Sequence, residues 1–318
     1  MSQQQSRPYR FAIQGGPFAD PDALAEHARS VEALGYDELY TSDHVGAPDQ
    51  GGRKGGRYIV DPFAPLLIAA AATTKLRVGP LVLNNEFSNP ALLARTAATV
   101  DCLTSGRLVL GMGTGYAARE HESIGMPIRP PGPRVSRFEE CLQILRSLLD
   151  TGAVHHDGVH EYVSFDDLGV SPRQTHVPFL VGGHGRRVVG IAARHADIFQ
   201  FTGLTHGKDG TPSGGGFSLS QVQERGDWLE EGAGERAGDI ERSALVQLVA
   251  CGVDAPSDAE IAEQFELPEE TIADTPFVLS GSLERIIDKV ERLRETVGIT
   301  HYVVREPETF APVVDALT

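Results

Sequence analysis

Basic residues are scarce in this chain of 318 residues: 28 Lys and Arg stand against 44 Asp and Glu, a formal net charge of -16. Lysine occurs only at 54, 75, 208 and 289. Without a basic excess to release counterions, the chain is not suited to a sequence-independent grip on nucleic acid or on an anionic membrane. Any bound phosphate has to be held locally. Cysteine is as rare, and Cys102, Cys141 and Cys251 are odd in number and far apart. That argues against a disulfide framework and against a zinc site, so no metal is assigned. Apolar residues make up 41% of the chain, yet no run approaches the roughly 20 residues needed to span a bilayer. The first ten residues, MSQQQSRPYR, lack the apolar stretch of a signal peptide, so a cytoplasmic location is expected.

What is present is an alternation of short apolar runs with helical patterns. Residues 76–83 and 107–112 are apolar apart from Arg77 and Arg107 and are separated by an interval long enough for a helical crossover, as parallel strands covered on both faces require. Further strands are expected at 9–14, 38–42, 177–181, 197–201, 243–253 and 300–304. Helices are expected after Asp20-Pro21, over 62–74, from 136 onward with Phe138, Cys141, Leu142, Leu145 and Leu148 on one stripe, over 186–195, from Leu219, and over 282–297. Pro127, Pro130, Pro131 and Pro133 mark a connection that cannot be helical throughout. Residues 152–175 read as an insertion with a hairpin near Asp157-Gly158. Eight strand–helix units in one chain of this size predict an α/β fold, a closed (β/α)₈ TIM barrel, over a single domain 1–318.

Ligands bind at the carboxyl ends of such strands, which directs attention to a few residues. Gly111, Gly113 and Gly115 follow one strand, but GxGxG is not the dinucleotide spacing GxGxxG, and a proline-rich connection stands where the long helix should be. A tight turn against neighbouring strands accounts for this cluster equally well. Gly182-Gly183-His184-Gly185 opens a helix and is followed by two arginines. Backbone N–H groups at such a turn, late in a barrel, form an anion nest. Asp43-His44 ends the second strand, and a histidine there can exchange a proton near neutral pH. The two side chains need not pair with each other. Glycine-rich segments at 46–56 and 205–216 are expected to close over the open face.

The runs ELYTSDHV, RVGPLVLNNEFSNPALLARTAATVDCLTSGRLVLGMGTGY and PFLVGGHGRRVVGIAARHADIF resemble, in order and spacing, the luciferase-like monooxygenase superfamily and its F420-dependent oxidoreductase branch. The resemblance covers nearly the whole chain and implies a bacterial luciferase-like barrel. It implies a deazaflavin or flavin ring lying against a third-strand bulge with a non-proline cis peptide at Leu81-Val82. It also implies a cofactor phosphate at Gly182, Gly183, His184 and Gly185, with Gly113, Thr114 and Gly115 lining the site and Asp43 and His44 beside the ring. His44 or Tyr116 would supply the proton. Sugar-phosphate dehydrogenases of the branch carry a glutamate where Tyr116 stands, and a tryptophan shortly after the Asp-His pair, where this chain has Gly46, Ala47 and Pro48. A glucose-6-phosphate dehydrogenase role is therefore disfavoured. The expectation is F420-dependent hydride transfer to an enone, imine or quinone-like substrate, in a homodimer that works with a flavin or F420 reductase. The alternatives are an FMN-dependent two-component monooxygenase and a cofactor-binding protein without turnover.

Overall fold

The computed structural model describes residues 7–46, 60–206 and 212–318. Nine strands hydrogen-bond in one parallel sheet: β1 (Arg10–Gln14), β2 (Glu38–Thr41), β3 (Arg77–Pro80), β4 (Leu83–Asn84), β5 (Leu110–Gly113), β8 (Phe179–Gly182), β9 (Ile198–Phe201), β12 (Glu241–Leu245) and β15 (Ile299–Val304). Three pairs lie apart from it: antiparallel β6 (Val154–Asp157) with β7 (Tyr162–Phe165), antiparallel β10 (Thr205–His206) with β11 (Pro212–Ser213), and parallel β13 (Leu248–Cys251) with β14 (Val278–Gly281). The sheet closes because β15 pairs with β1, β4 with β5, and Val78 bridges to Leu108. β3 and β4 are two pieces of one stave interrupted at Leu81-Val82, so the nine strands make an eight-staved (β/α)₈ barrel, as expected.

Helices α1 (Pro21–Ala33), α2 (Ala64–Ala72), α3 (Pro90–Leu103), α4 (Ala118–Ser123), α5 (Pro131–Thr151), α6 (Arg186–His195), α7 (Leu219–Ala233), α8 (Asp258–Phe265), α9 (Glu269–Asp274), α10 (Leu283–Val297) and α11 (Pro307–Leu317) complete the alternation. Local chemistry sets their ends. Asp20 Oδ1 accepts from the N–H groups of Asp22 and Ala23 ahead of α1, and Asn89 does the same for α3. Ser218 and Ser257 form capping boxes with Gln221 and Glu260.

Two layers of core follow from the barrel geometry. Phe11, Leu39, Val78, Leu110, Phe179, Phe199 and Tyr302 belong to the large apolar cluster shared with the helices. Ala12, Tyr40, Leu81, Val109, Leu180, Ile198 and Val303 form the second, smaller one. Side chains alternate along a strand, so the second set fills the barrel interior and supports whatever sits at its mouth. At the opposite end the polar groups serve stability: Asp37 and Asp197 each accept from an N–H at the start of a neighbouring stave, at Phe11 and Phe179.

Three expectations need correction. The run 243–253 is not one strand. It divides into β12, a barrel stave, and β13, which pairs with β14, and the barrel stave begins two residues earlier at Glu241. The proline connection is shorter than expected, because α5 starts at Pro131 and includes Pro133 in its first turn. Prolines are harmless there, since the first N–H groups of a helix have no intrahelical acceptor. The same connection contains α4, which has no strong periodicity and was missed. The hairpin expected at 152–175 is present as β6 and β7, held by Glu140, whose carboxylate accepts from the N–H groups of Val159, His160 and Glu161.

Gly79 makes the closest inter-stave approach: a Cβ there would lie 2.0 Å from the Val109 carbonyl oxygen. Gly79→Ala must push backbone against backbone, and is expected to lower unfolding free energy by at least about 1–3 kcal/mol, measured as a shift in urea midpoint. A second prediction concerns acid. His301 is completely buried, with Nε2 3.1 Å from Glu38 Oε2, and burial holds its pKa down at about 4. The unfolded chain protonates this imidazole near pH 6.5. Stability is therefore complete above that pH and declines as pH falls toward about 4. Urea midpoints across this range should fall less steeply in His301→Gln.

Candidate active site

The carboxyl end of the barrel gathers most of the residues singled out from sequence, but not in the pairings their order suggests. β2 delivers Asp43 and His44, whose side chains diverge. Asp43 Oδ2 accepts from the Asn84 N–H at 2.8 Å, which ties the end of the second stave to the end of the third. Burial raises the Asp43 pKa, and the Asn84 N–H and the nearby His44 work against that rise. His44 turns instead to Glu120 on α4, with Nδ1 2.7 Å from Oε1. The other oxygen of Glu120 accepts from the Val45 N–H at 3.2 Å. Glu120 is only 6% exposed, so this carboxylate is occupied on both oxygens by the segment that carries His44.

This contact sets the histidine tautomer. An ionised carboxylate only accepts, so Nδ1 carries a proton, and in the neutral imidazole Nε2 is the nitrogen with the lone pair. Carboxylate–imidazole pairs of this kind orient a general base without themselves reacting. Tyr116 lies edge-on to the imidazole with ring centroids 6.1 Å apart. The residue is 38% exposed, yet partial desolvation of its phenol and the Glu120 charge push its pKa up to about 12, so near neutral pH it can donate a proton and cannot act as a base.

The residue after Glu120 faces the third stave. Asn84 Nδ2 donates to His121 Nε2 at 3.0 Å, and His121 Nδ1 donates to the Met126 carbonyl at 2.9 Å. Asn84 Oδ1 accepts from Glu86 N–H. The short helix α4 thus clamps stave two through Glu120 and stave three through His121. Neither residue was picked out from sequence. The one available signal was an adjacent acidic and imidazole pair soon after the GTG run, inside a segment read only as a connection.

Between those staves the third strand breaks at a cis peptide between Leu81 and Val82, the bond expected. Leu81 N–H donates to the Thr41 carbonyl. The Leu81 carbonyl accepts from Gln14 Nε2 at 2.7 Å, and Gln14 Oε1 accepts in turn from Arg305 at 2.8 Å. The Leu81 side chain is buried in the barrel interior, whereas Val82 is half-buried. The glycines of β5 fit this break. A Cβ at Gly111 would come 2.1 Å from the Pro80 carbonyl oxygen, and one at Gly113 would meet Val82 at 2.7 Å. Gly115 has φ +76° and abuts the Asn84 side chain. Close packing against the bulge is therefore what these three glycines provide. Thr114 lies between them in the same turn.

Across the mouth, β8 ends in the turn Gly182, Gly183, His184 and Gly185, and Gly185 is the N-cap of α6. A Cβ at Gly185 would meet nothing within 4 Å, and among the described residues the N–H groups of Gly183 and Gly185 donate to no backbone carbonyl. An anion can approach such backbone. The two arginines that follow do not complete a nest: Arg186 pairs with Glu231, and Arg187 donates to Ser136 and the Gly132 carbonyl. The His184 imidazole is taken up by Arg225, Thr202 and the Leu204 carbonyl. Of the two glycine-rich segments, 47–59 and 207–211 lie outside the described residues. No group of three or more potential metal ligands is found among the described residues, and no described helix is long and apolar enough to cross a membrane.

The sequence profile of the luciferase-like monooxygenases matches residues 2–278. The chain belongs to this oxidoreductase family. An F420-dependent glucose-6-phosphate dehydrogenase from Kineococcus radiotolerans is 31% identical over 189 residues, which are 57% of this chain and 52% of the relative. The chain spans about half to three-fifths of the length of the curated relatives it matches. An F420-dependent secondary alcohol dehydrogenase, solved with an F420-acetone adduct, superposes with TM-score 0.75 at 20% identity, covering 98% of this chain and 100% of that one. The oxygenating constituent of a 3,6-diketocamphane monooxygenase from Pseudomonas putida, solved with FMN, superposes with TM-score 0.67 at 17% identity, covering 98% and 96%. At such identities the likeness establishes a common fold.

Absorbance titration comparing the protein with Tyr116→Phe should reveal no tyrosinate from this residue until the pH approaches about 12. A signal near pH 10 would show that the phenol is not held as described.

Proposed function

We propose that this chain is an F420-dependent oxidoreductase that transfers a hydride between the deazaflavin and a small enone, imine or quinone-like substrate, with His44 exchanging the accompanying proton. The observation that carries the reading is the Glu120–His44 pair, 2.7 Å apart, at the barrel mouth beside the interrupted third stave. Hydride chemistry belongs to the cofactor, which when bound supplies or receives the hydride at its ring. The chain's own task is placement and proton handling.

The residues fit such a group. The break at Leu81 and Val82 offers a backing surface for a flat ring, fixed from behind by Gln14. Gly113, Thr114 and Gly115 border that surface. The turn from Gly182 to Gly185, where the N–H groups of Gly183 and Gly185 donate to no described backbone carbonyl, opens a ten-residue helix and suits the phosphorylated tail. The His184 imidazole is engaged by Arg225, Thr202 and the Leu204 carbonyl, so this residue fixes the shape of the turn. Asp43 acts by holding Asn84. Glu120 keeps the His44 Nδ1 proton in place, so Nε2 is the atom that takes or returns a proton. Tyr116 can act as a donor beside it.

The Kineococcus relative's name also supports F420, while the change to Tyr116 and the absence of tryptophan at 46–48 weigh against glucose 6-phosphate as the substrate. Titrating the purified protein with F420 and with FMN tests the cofactor: quenching by F420 at micromolar concentration is expected, and tight binding of FMN alone would select the monooxygenase reading instead. His44→Ala should reduce F420H₂ turnover by roughly 10²–10⁴-fold while leaving the cofactor dissociation constant within a few-fold. Glu120→Gln should give a smaller loss, on the order of 10–100-fold, because the imidazole remains and only its orientation is relaxed. Unchanged turnover in His44→Ala, with intact binding, would point to a cofactor-binding protein without catalysis.

A further inference from the structure

Arg225 stands apart from the other buried arginines. It projects from α7 and is only 3% exposed. Arg137 and Arg242, buried to a similar degree, each contact a carboxylate, at Glu86 and Glu161 and at Glu230. Arg225 contacts none among the described residues. Its donors reach four neutral acceptors instead: Nε to the Gln221 carbonyl at 3.0 Å, Nη1 to the Thr202 carbonyl at 2.9 Å and to His184 Nδ1 at 2.8 Å, and Nη2 to the Gly216 carbonyl at 2.6 Å. Burial lowers its pKa to about 10, which still leaves it charged at neutral pH. Among the described residues the one opposing charge acting on it through space is Glu224, which is exposed on the same helix and forms no ion pair with it, and a buried guanidinium satisfied in hydrogen bonds but so weakly balanced in charge is unfavourable for the protein alone.

The four partners all belong to the carboxyl edge of the barrel. Thr202 follows β9, Gly216 precedes α7, and His184 is part of the Gly182 to Gly185 turn. A guanidinium has no lone pair to offer, so His184 Nδ1 must accept and Nε2 must carry the proton. That proton points to the Leu204 carbonyl, 2.6 Å away, with the Thr202 hydroxyl at the same distance. His184 is thereby held neutral, and the charge nearest the turn from behind is that of Arg225.

We propose that Arg225 is the buried counter-charge for the cofactor's phosphate: a positioning residue that, through His184, sets the Gly182 to Gly185 turn and makes it electropositive. This rests on the phosphate-anchoring role given to that turn in the functional reading above. Backbone N–H groups contact the anion. Arg225 supplies, from the far side of the imidazole, the positive charge that the exposed and already paired Arg186 does not.

The test compares ligands with and without phosphate: F420 against its phosphate-free chromophore, and FMN against riboflavin, by fluorescence quenching on the wild type, Arg225→Gln and Arg225→Lys. Arg225→Gln should weaken the phosphorylated ligands about tenfold or more and leave the phosphate-free ones within about twofold, while Arg225→Lys retains most of the preference. Equal weakening of both kinds, or no weakening of either, would overturn the assignment. Should Arg225→Gln not fold, loss of the phosphate preference in a folded Arg225→Lys protein would overturn it as well. Inorganic phosphate separates this proposal from the functional reading. If the wild type binds no deazaflavin or flavin, that reading fails, yet phosphate should still raise the melting temperature of the wild type and not of Arg225→Gln. An equal rise in both proteins overturns the role of Arg225.

Discussion

The interruption of the third barrel stave is the constraint on which the rest of the mouth depends. Where β3 gives way to β4, the adjacent stave can approach only because Gly79, Gly111 and Gly113 have no side chain to keep it away: a Cβ at any of them would lie within 2.7 Å of a carbonyl oxygen or of Val82. Beneath, Leu81 fills the barrel interior with Tyr40, Val109 and Leu180. Above, the Leu81 carbonyl is fixed by Gln14 and its N–H by Thr41. A surface this closely packed does not need ligand contacts to hold its shape, which is the condition for a site that places a ring instead of moulding to it.

Around that surface the polar groups divide into those that hold and those that can react. Asp43, Asn84 and His121 are committed to one another and to backbone. They lock the ends of staves two and three and the short helix α4 into one unit. Glu120 belongs to both groups. It grips the Val45 N–H and at the same time sets which nitrogen of His44 is available. A single buried carboxylate thus couples the position of the loop to the orientation and tautomer of the imidazole, and this coupling gives a lone histidine at a strand end its chemical meaning.

The opposite side of the mouth follows different physics. There the turn at Gly182 to Gly185 offers backbone, a helix N-terminus and, behind them, a guanidinium without a carboxylate. The chain as a whole is acidic, so any attraction for a phosphate has to be local, and burying the charge is how it stays local. Water screens the exposed Arg186 and Arg187, and both are engaged by neighbouring groups. Arg225 is shielded from that screening.

Much of this was legible in the linear chain. Short apolar runs without polar alternation fit parallel staves covered on both faces, and eight of them in alternation with helices favour a closed barrel over an open sheet, which places the residues after each run at its mouth. The positions of Asp43, His44, Gly113 to Tyr116 and the turn at Gly182 follow from that alone. The exact register near 243–253 did not, because two short strands in succession have the same composition as one long one. Nor did the partners of the site. Glu120 lies 76 residues from His44 and Arg225 lies 41 residues from His184, on helices whose patterns look ordinary. A hydrogen bond depends on direction and distance in space, and no sequence spacing encodes these. Only the closed barrel, by bringing α4 over stave two and α7 behind stave five, decided which carboxylate would orient the histidine and which cation would stand behind the glycine turn.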